Sequence, residues 1–248
     1  MLARQPPPEA KLKVLSIFGT RPEAIKMAPV VRELRRHPHI DSLVCVTAQH
    51  REMLDQVLQL FDIQPDFDLD VMRPEQTLTQ LTARVLEGLD PVIRAVQPDW
   101  VLVQGDTTTV MAASLVAFYH RARIGHVEAG LRTGQPGEPF PEEVNRRLAS
   151  VVADLHFAPT ERARANLLRE AIPADRIHVT GNPVIDALHW AAGLPYAPDA
   201  GPLADLPRDA RLILVTAHRR ENLGQPLEEI CLAVRDVAAH FGDSVHIV

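Results

Sequence analysis

The sequence predicts an α/β fold built around a largely parallel, doubly wound sheet. Apolar runs of strand length alternate with amphipathic stretches of helix length along most of the 248 residues, which is typical of βαβ units. Clusters of polar residues directly follow several of the predicted strands. Because doubly wound sheets bind ligands beyond the carboxyl ends of their strands, these clusters are the candidate functional residues.

The first predicted strand and helix are separated by a clear helix-start signal. Gly19 ends the strand, Thr20 suits the helix cap, Pro22 suits the first helical turn, and Glu23 places a carboxylate there. The same alternation continues along the chain. Strands are predicted at 14–18, 43–47, 100–104, 124–127, 155–158, 177–180, 212–216 and 245–248. Helices are predicted at 22–36, 51–60, 78–96, 107–120, 141–152, 161–170, 184–191 and 226–241.

The alternation is interrupted once, by a segment at 193–209 that is rich in Pro, Gly and Asp. A new βα unit starts after it. We therefore expect a Pro-rich, disordered lead at 1–11, a doubly wound domain at 12–181 and the start of a second α/β domain at 182–248, present only in part.

Composition excludes several classes of protein. The net charge of −6 argues against a nucleic-acid-binding protein, which is usually basic. No apolar run is long enough to span a membrane. The two cysteines lie far apart and lack metal-ligand spacing, which indicates buried thiols in a reducing, cytoplasmic setting. The glycine-rich nucleotide-binding motifs and the serine nucleophile elbow are absent from the sequence.

Four of the polar clusters follow predicted strands, at 19–23 together with Lys26, at 105–109, at 128–133 and at 218–222. Each also has a purely structural interpretation. Arg21 and Lys26 suit surface cations, Asp106 suits a helix cap, and Glu128 suits a solvated loop.

A fifth cluster starts the helix predicted at 141–152. Glu142, Asn145 and Arg146 share one helical face, whereas Glu143 and Arg147 are predicted to form a surface ion pair. The turn-rich loop before this helix leads directly from Glu128, so we expect it to bring the carboxylates of Glu128 and Glu142 together.

The residue types at this predicted crevice suggest one chemistry. Cations at helix starts suit a diphosphate, and neighbouring carboxylates suit proton transfer beside a cationic sugar. The residues alone therefore lead to the hypothesis of a nucleotide-sugar enzyme.

Seven motifs closely resemble the non-hydrolysing UDP-N-acetylglucosamine 2-epimerases. They are FGTRPEAIKMAPV (18–30), TAQHREMLDQVL (47–58), GDTTT (105–109), GHVEAGLRTG (125–134), PEEVNR (141–146), TGNPVIDAL (180–188) and TAHRREN (216–222). The resemblance implies a GT-B type fold of two Rossmann-like domains. It also implies a cytoplasmic homodimer, without cofactor or metal, that serves cell-surface polysaccharide biosynthesis. The implied reaction interconverts UDP-GlcNAc and UDP-ManNAc by elimination and re-addition of UDP, with inversion at C2.

The resemblance also assigns roles residue by residue. Its catalytic set falls on Lys26, Asp106, Glu128, Glu142, Arg146 and His218. Contacts with the substrate fall on Arg21, Arg146 and His218. A second, regulatory UDP-GlcNAc site falls on Gln49 and Arg219. Which carboxylate is the base stays open.

Members of this family continue well beyond the position of Val248, so we expect this chain alone to have little or no epimerase activity. Three alternatives remain open at this stage: a hydrolysing epimerase or one for a modified UDP-sugar, a GT-B glycosyltransferase, and a truncated, non-catalytic domain.

Overall fold

The computed structural model describes residues 11–48, 51–195, 197, 204, 206–207, 209–217 and 223–248. The chain forms two compact units that divide between Gly193 and Leu194. The greater part of the predicted lead, residues 1–10, lies outside the described residues.

A seven-stranded parallel sheet forms the centre of the first unit. Its strands are β1 (Leu12–Phe18), β2 (Ile40–Val46), β3 (Phe67–Asp68), β4 (Trp100–Gln104), β5 (Arg123–Val127), β6 (Leu155–Ala158) and β7 (Ile177–Val179). The order across the sheet is β3-β2-β1-β4-β5-β6-β7. The order therefore reverses beside β1, which is where a doubly wound sheet opens a crevice.

Helices cover both faces of this sheet. They are α1 (Arg21–Arg36), α2 (Arg51–Leu60), α3 (Leu78–Val96), α4 (Thr108–Tyr119), α5 (Glu142–Val152), α6 (Glu161–Arg169) and α7 (Val184–Ala192). Helices α1, α2 and α7 pack in one apolar core, and α3, α4 and α5 pack in another on the opposite face. The side chains of β1 point alternately to the two faces of the sheet. Leu15 and Ile17 pack in one core, and Val14 and Phe18 pack in the other.

The predicted α/β class and doubly wound sheet are confirmed. Every strand and helix predicted from the sequence is present among the described residues, with ends within three residues of the predicted ones. One strand, β3, was missed. It is two residues long and lacks an apolar run; the Asp66 carboxylate holds it at the sheet edge by accepting from the Val44 N–H at 2.8 Å.

Helix α7 belongs to the first unit, so the division at Gly193 lies later than the boundary predicted at 181. Ala187 is buried in the α1–α2 core. The Trp190 ring stacks on Phe61 with 4.5 Å between ring centroids, and the Arg32 guanidinium lies 4.6 Å from the centre of the Trp190 ring. These contacts attach α7 to the first unit.

The described residues of the second unit form one β–α–β motif. Strand β8 (Arg211–Ile213) is followed by α8 (Gln225–Phe241) and β9 (Val245–Ile247), and the two strands pair in parallel. Both strands and the helix predicted for this part of the chain are therefore present. Among the described residues of both units, no helix is long and apolar enough to cross a membrane.

Candidate active site

The candidate site lies in the first unit, at the carboxyl ends of β1, β4 and β5. Gln104 is the last residue of β4, Asp106 follows it by two positions, and Glu128 directly follows β5. Lys26 lies in the second turn of α1, and Arg146 in the second turn of α5. The sheet topology thus brings together residues that are up to 120 positions apart in the sequence.

Glu128 accepts hydrogen bonds on both of its carboxylate oxygens. Its Oε2 lies 2.6 Å from Lys26 Nζ and 2.5 Å from Gln104 Nε2, and its Oε1 lies 2.6 Å from Asn182 Nδ2. The side chain is only 9% exposed. Three nitrogen donors therefore hold a nearly buried negative charge in one position.

The backbone at Glu128 is strained, with φ at 61° in the left-handed region that favours glycine. Strain of this kind at a non-glycine residue is concentrated at functional sites. The hydrogen bonds to Lys26, Gln104 and Asn182 help to hold Glu128 in this conformation.

Asp106 is held by two residues of α5. Its Oδ2 lies 2.6 Å from an Arg146 guanidinium nitrogen, and its backbone carbonyl accepts from Asn145 Nδ2 at 3.0 Å. Burial raises the pKa of Asp106. The Arg146 charge lowers that pKa, but the negative charges of Glu142 and Glu128 add to the rise.

Glu142 is the third carboxylate of the site. It is half-buried at the start of α5, and its charge reaches Asp106. Its Oε2 is buried and has no hydrogen-bond partner among the residues that the structure describes. An unpartnered carboxylate oxygen is free to accept a proton, or a hydrogen bond from a substrate hydroxyl.

A different glutamate of α5 holds the loop that precedes the helix. Glu143 accepts from the backbone N–H groups of Thr133 at 3.1 Å and Gly134 at 3.4 Å, and an Arg147 nitrogen lies 3.0 Å away. Burial alone would raise the pKa of Glu143, but the Thr133 N–H and the Arg147 and Arg146 groups outweigh it and lower that pKa.

The prediction of a surface pair at Glu143 was therefore wrong in one respect. The ion pair with Arg147 exists, but the Glu143 side chain is fully buried. The loop before α5 folds back over the start of that helix, and the sequence alone does not reveal this loop conformation.

Glu23 links the loops that follow β1 and β4. Its Oε2 accepts from the backbone N–H of Gly19 at 3.1 Å and from the N–H and hydroxyl of Thr20 at 2.7 Å each. Its Oε1 accepts from the Thr107 hydroxyl at 2.7 Å. Burial raises the pKa of Glu23, and these hydrogen bonds oppose the rise.

The structure brings together Lys26, Asp106, Glu128 and Arg146 in two ion pairs, with Glu142 within reach of Asp106. The helix cap predicted near Asp106 is Thr107, whose hydroxyl accepts from the Val110 N–H. Arg21 is exposed at the start of α1. Gln49, His218 and Arg219 lie outside the described residues.

Two polar contacts of the site were missed from the sequence, Gln104 and Asn182. Gln104 carried a signal, because it is a polar residue at the end of an otherwise apolar strand. Asn182 lies between β7 and α7, at the same edge of the sheet as the other polar clusters. Among the described residues, no group of three or more His, Cys, Asp and Glu side chains is placed to hold a metal ion.

Comparison with known proteins gives concordant matches. A family model described as UDP-N-acetylglucosamine 2-epimerase matches residues 32–248. The UDP-N-acetylglucosamine 2-epimerase of Yersinia pestis is 58% identical over 92% of this chain and 62% of its own length. That of Bacillus subtilis is 55% identical over 94% of this chain and 60% of its own length. The chain spans about three fifths of the length of these relatives.

A solved structure shows the same similarity in three dimensions. The UDP-GlcNAc 2-epimerase of Neisseria meningitidis, determined bound to UDP-GlcNAc, matches with a TM-score of 0.85 and 48% identity. The alignment covers 96% of this chain and 66% of that one. It confirms the GT-B fold class that the sequence predicts. Of that fold, the part of the chain that the structure describes contains one Rossmann-like sheet and one β–α–β motif.

Proposed function

The chain belongs to the UDP-N-acetylglucosamine 2-epimerase family, and from that premise we propose that it interconverts UDP-GlcNAc and UDP-ManNAc as part of such an enzyme. The observation that carries the proposal is the neighbouring pair of ion pairs, Lys26–Glu128 and Arg146–Asp106, at the crevice of the doubly wound sheet. The relative from Neisseria meningitidis binds UDP-GlcNAc, which supports the substrate class.

The proposed reaction proceeds by elimination and re-addition. A carboxylate removes the C2 proton, the C2–H electron pair forms a C1–C2 double bond, and the C1–O bond breaks with its electrons leaving on UDP. The products of this step are a 2-acetamidoglucal and UDP. UDP then adds back at C1 while a proton is delivered to the opposite face of C2, which inverts that centre.

The contacts of the three carboxylates suggest a division of roles. Glu128 has nitrogen donors on both oxygens, so it suits a fixed negative charge facing the positive charge that develops at C1. Asp106 and Glu142 suit the proton transfers. Burial and neighbouring charge raise the pKa of Asp106, and Glu142 has an unpartnered oxygen.

The diphosphate is proposed to lie at the start of α1. The dipole of α1 favours an anion there, and exposed Arg21 adds a cation. We retain His218 as a further catalytic and substrate contact, and Gln49 and Arg219 as contacts of a regulatory UDP-GlcNAc site, on the resemblance of their motifs.

The reaction is tested by isotope incorporation. This chain, joined at Val248 to the remaining C-terminal residues of the Bacillus subtilis relative, is incubated with UDP-GlcNAc in D2O. We expect UDP-ManNAc with deuterium at C2, detected by NMR and mass spectrometry. Free ManNAc with UDP would indicate a hydrolysing epimerase instead, and no exchange at C2 would contradict an epimerase altogether.

Single substitutions connect that activity to the site. Asp106→Asn is expected to lower kcat by about 100- to 10,000-fold, the usual contribution of a general acid or base. Glu161→Gln is the matched control, because it also removes one carboxylate charge but lies exposed on α6. Equal activity of the Asp106→Asn variant and the wild type would remove Asp106 from the catalytic set.

We also propose that the protein is a cytoplasmic homodimer. Cys45 is buried as predicted, whereas Cys231 is exposed, so the prediction of a buried thiol there was wrong. Both are free thiols, which a reducing compartment favours. An apolar surface on the first unit suits a second copy of the chain. Its residues, which we call the α4–α5 face, are Met111, Leu115 and Phe118 on α4 and Val144, Leu148 and Val151 on α5.

A further inference from the structure

His126 is a fully buried residue of β5 that has no place in the chemistry described above. Its ring Nε2 lies 2.7 Å from the carbonyl oxygen of Gly105, in the turn after β4. The neighbouring backbone bond runs the other way, from the Gly105 N–H to the carbonyl of Val127 at 3.0 Å. Both polar backbone groups of Gly105 are therefore attached to β5.

The contact with Gly105 determines which ring nitrogen of His126 carries the proton. A carbonyl oxygen only accepts, so Nε2 must be the donor. The other nitrogen, Nδ1, is buried and has no hydrogen-bond partner among the described residues. Burial lowers the pKa of His126 to about 4, and so the ring is neutral at physiological pH.

The carbonyl that His126 holds belongs to the peptide group that joins Gly105 to Asp106. Gly105 has φ at 82°, outside the range of strands and right-handed helices, and its carbonyl lies within hydrogen-bond distance of His126 Nε2. On the other side of Asp106, the next carbonyl accepts from Asn145 and the side chain binds Arg146. The backbone on the N-terminal side of Asp106 is thus held by β5, and the backbone carbonyl and side chain of Asp106 are held by α5.

We propose that His126 is a positioning residue, whose Nε2–H holds the Gly105 carbonyl and thereby fixes the Asp106 carboxylate relative to the Lys26–Glu128 pair. The proposal rests on the proposed function, since Asp106 must act on the substrate for its position to affect the rate. An apolar side chain at position 126 would leave the Gly105 carbonyl without its donor and free the turn to rotate.

A neutral donor is required at this position. A lysine or arginine there would bring a buried positive charge close to Arg146, whose charge already disfavours protonation of His126. Glutamine is the suitable conservative replacement, because its side-chain NH2 can donate from a position close to that of Nε2.

The hydrogen bond is tested first on this chain by itself. NMR of the 15N-labelled histidine rings at pH 7 is expected to show a neutral His126 with the proton on Nε2. A proton on Nδ1, or a doubly protonated ring, would overturn the proposal. This measurement requires no enzymatic activity, so it tests the hydrogen bond between His126 and Gly105 even if the proposed epimerase reaction is not observed.

The effect on the reaction is tested in the chain completed with the Bacillus subtilis C-terminal residues. His126→Phe is expected to lower kcat by up to about 100-fold, as small misplacements of a reacting group do, while KM stays close to that of the wild type. His126→Gln is expected to restore most of kcat. A Phe variant with the kcat of the wild type, or a Gln variant no better than Phe, would overturn the proposal.

His156→Phe is the matched control for the cost of a phenylalanine in the core. His156 is also fully buried and lies directly opposite His126 on the neighbouring strand β6. We expect this variant to keep the kcat of the wild type. Equal losses of kcat in the two Phe variants would show a packing effect and contradict positioning by His126.

Discussion

At the scale of single residues, the site depends on the close approach of three loops, and Gly19 allows that approach. A Cβ atom at Gly19 would lie 1.9 Å from the Thr47 hydroxyl oxygen, which itself hydrogen-bonds to the Thr109 hydroxyl at 2.9 Å. The turn after β1 therefore has no room for a side chain. The same turn carries the N–H groups that bind Glu23.

We expect Gly19→Ala to lower the free energy of unfolding by about 1–3 kcal/mol, because the extra methyl group overpacks a buried contact. Urea unfolding followed by circular dichroism measures the change. Gly137→Ala is the matched control, since no atom lies within 4 Å of a Cβ placed there. Equal stability of the Gly19→Ala variant and the control would show that the loops accommodate the methyl group without a loss of stability.

Single residues of the site differed in how far the sequence revealed them. Lys26, Asp106 and Glu128 were identified because each lies close to the end of a predicted strand or the start of a helix. The order of strands and helices along the chain is enough to locate such residues. The buried state of Glu143 and the contact of Asn182 with Glu128 depend on residues distant in the sequence. No local pattern encodes such contacts.

At the scale of secondary-structure elements, the sequence was sufficient to predict the helices and strands that have a clear apolar pattern of their own. Helix α3 was predicted with both ends correct, and in the structure a capping box of Thr77 and Gln80 begins it. Strand β3 was missed, since its two residues are held by pairing with β2 and not by their own composition.

The pair of strands β5 and β6 places two buried histidines opposite each other, His126 and His156. Burial lowers the pKa of each from 6.5 to about 4. Positive charges near His126 come from Arg132 and from Arg146 on α5, and they lower its pKa further. Near His156, Arg132 and Arg176 act in the same direction, whereas Asp154 opposes them.

The contribution of these two histidines to the stability of the protein is therefore expected to fall as the pH falls from 6.5 to 4. Between these values the unfolded chain binds protons at both histidines and the folded chain does not, so protonation favours unfolding. Each histidine contributes a loss of about 1.4 kcal/mol per pH unit, the value of one pKa unit. Above pH 6.5 both are neutral in either state and their contribution is constant.

Urea unfolding at several pH values measures this loss. Glu23 and Asp106 act in the opposite direction, because a raised pKa lets the folded chain bind protons that the unfolded chain releases. The comparison is therefore made between the wild type and His126→Gln, whose stability is expected to fall less steeply over this range. The same slope in both proteins would contradict the contribution of His126.

At the scale of the whole molecule, α4 is unusual because it is apolar on every side. Its inner residues, such as Val110 and Ala113, are buried against the sheet, yet Phe118 on its outer side is 55% exposed. A helix that is apolar all round is normally covered on all sides. The adjoining helix α5 adds Leu148 and Val151, of which Val151 is 77% exposed.

The proposed homodimer would cover the α4–α5 face. Light scattering of the purified chain is expected to give twice the chain mass, and the double substitution Leu148→Asp with Val151→Asp is expected to give a monomer. The reason is that two carboxylates on this face would be buried against their symmetry-related copies, which is strongly unfavourable.

Ile185→Asp is the control, since Ile185 is also exposed but lies on α7, on the opposite side of the sheet. It is expected to leave the measured mass unchanged. A monomeric wild type, or a double variant that remains dimeric, would contradict a dimer through this face. Because α5 also carries Glu142 and Arg146, a dimer formed through its outer side would hold fixed the helix on which two of the proposed catalytic residues lie.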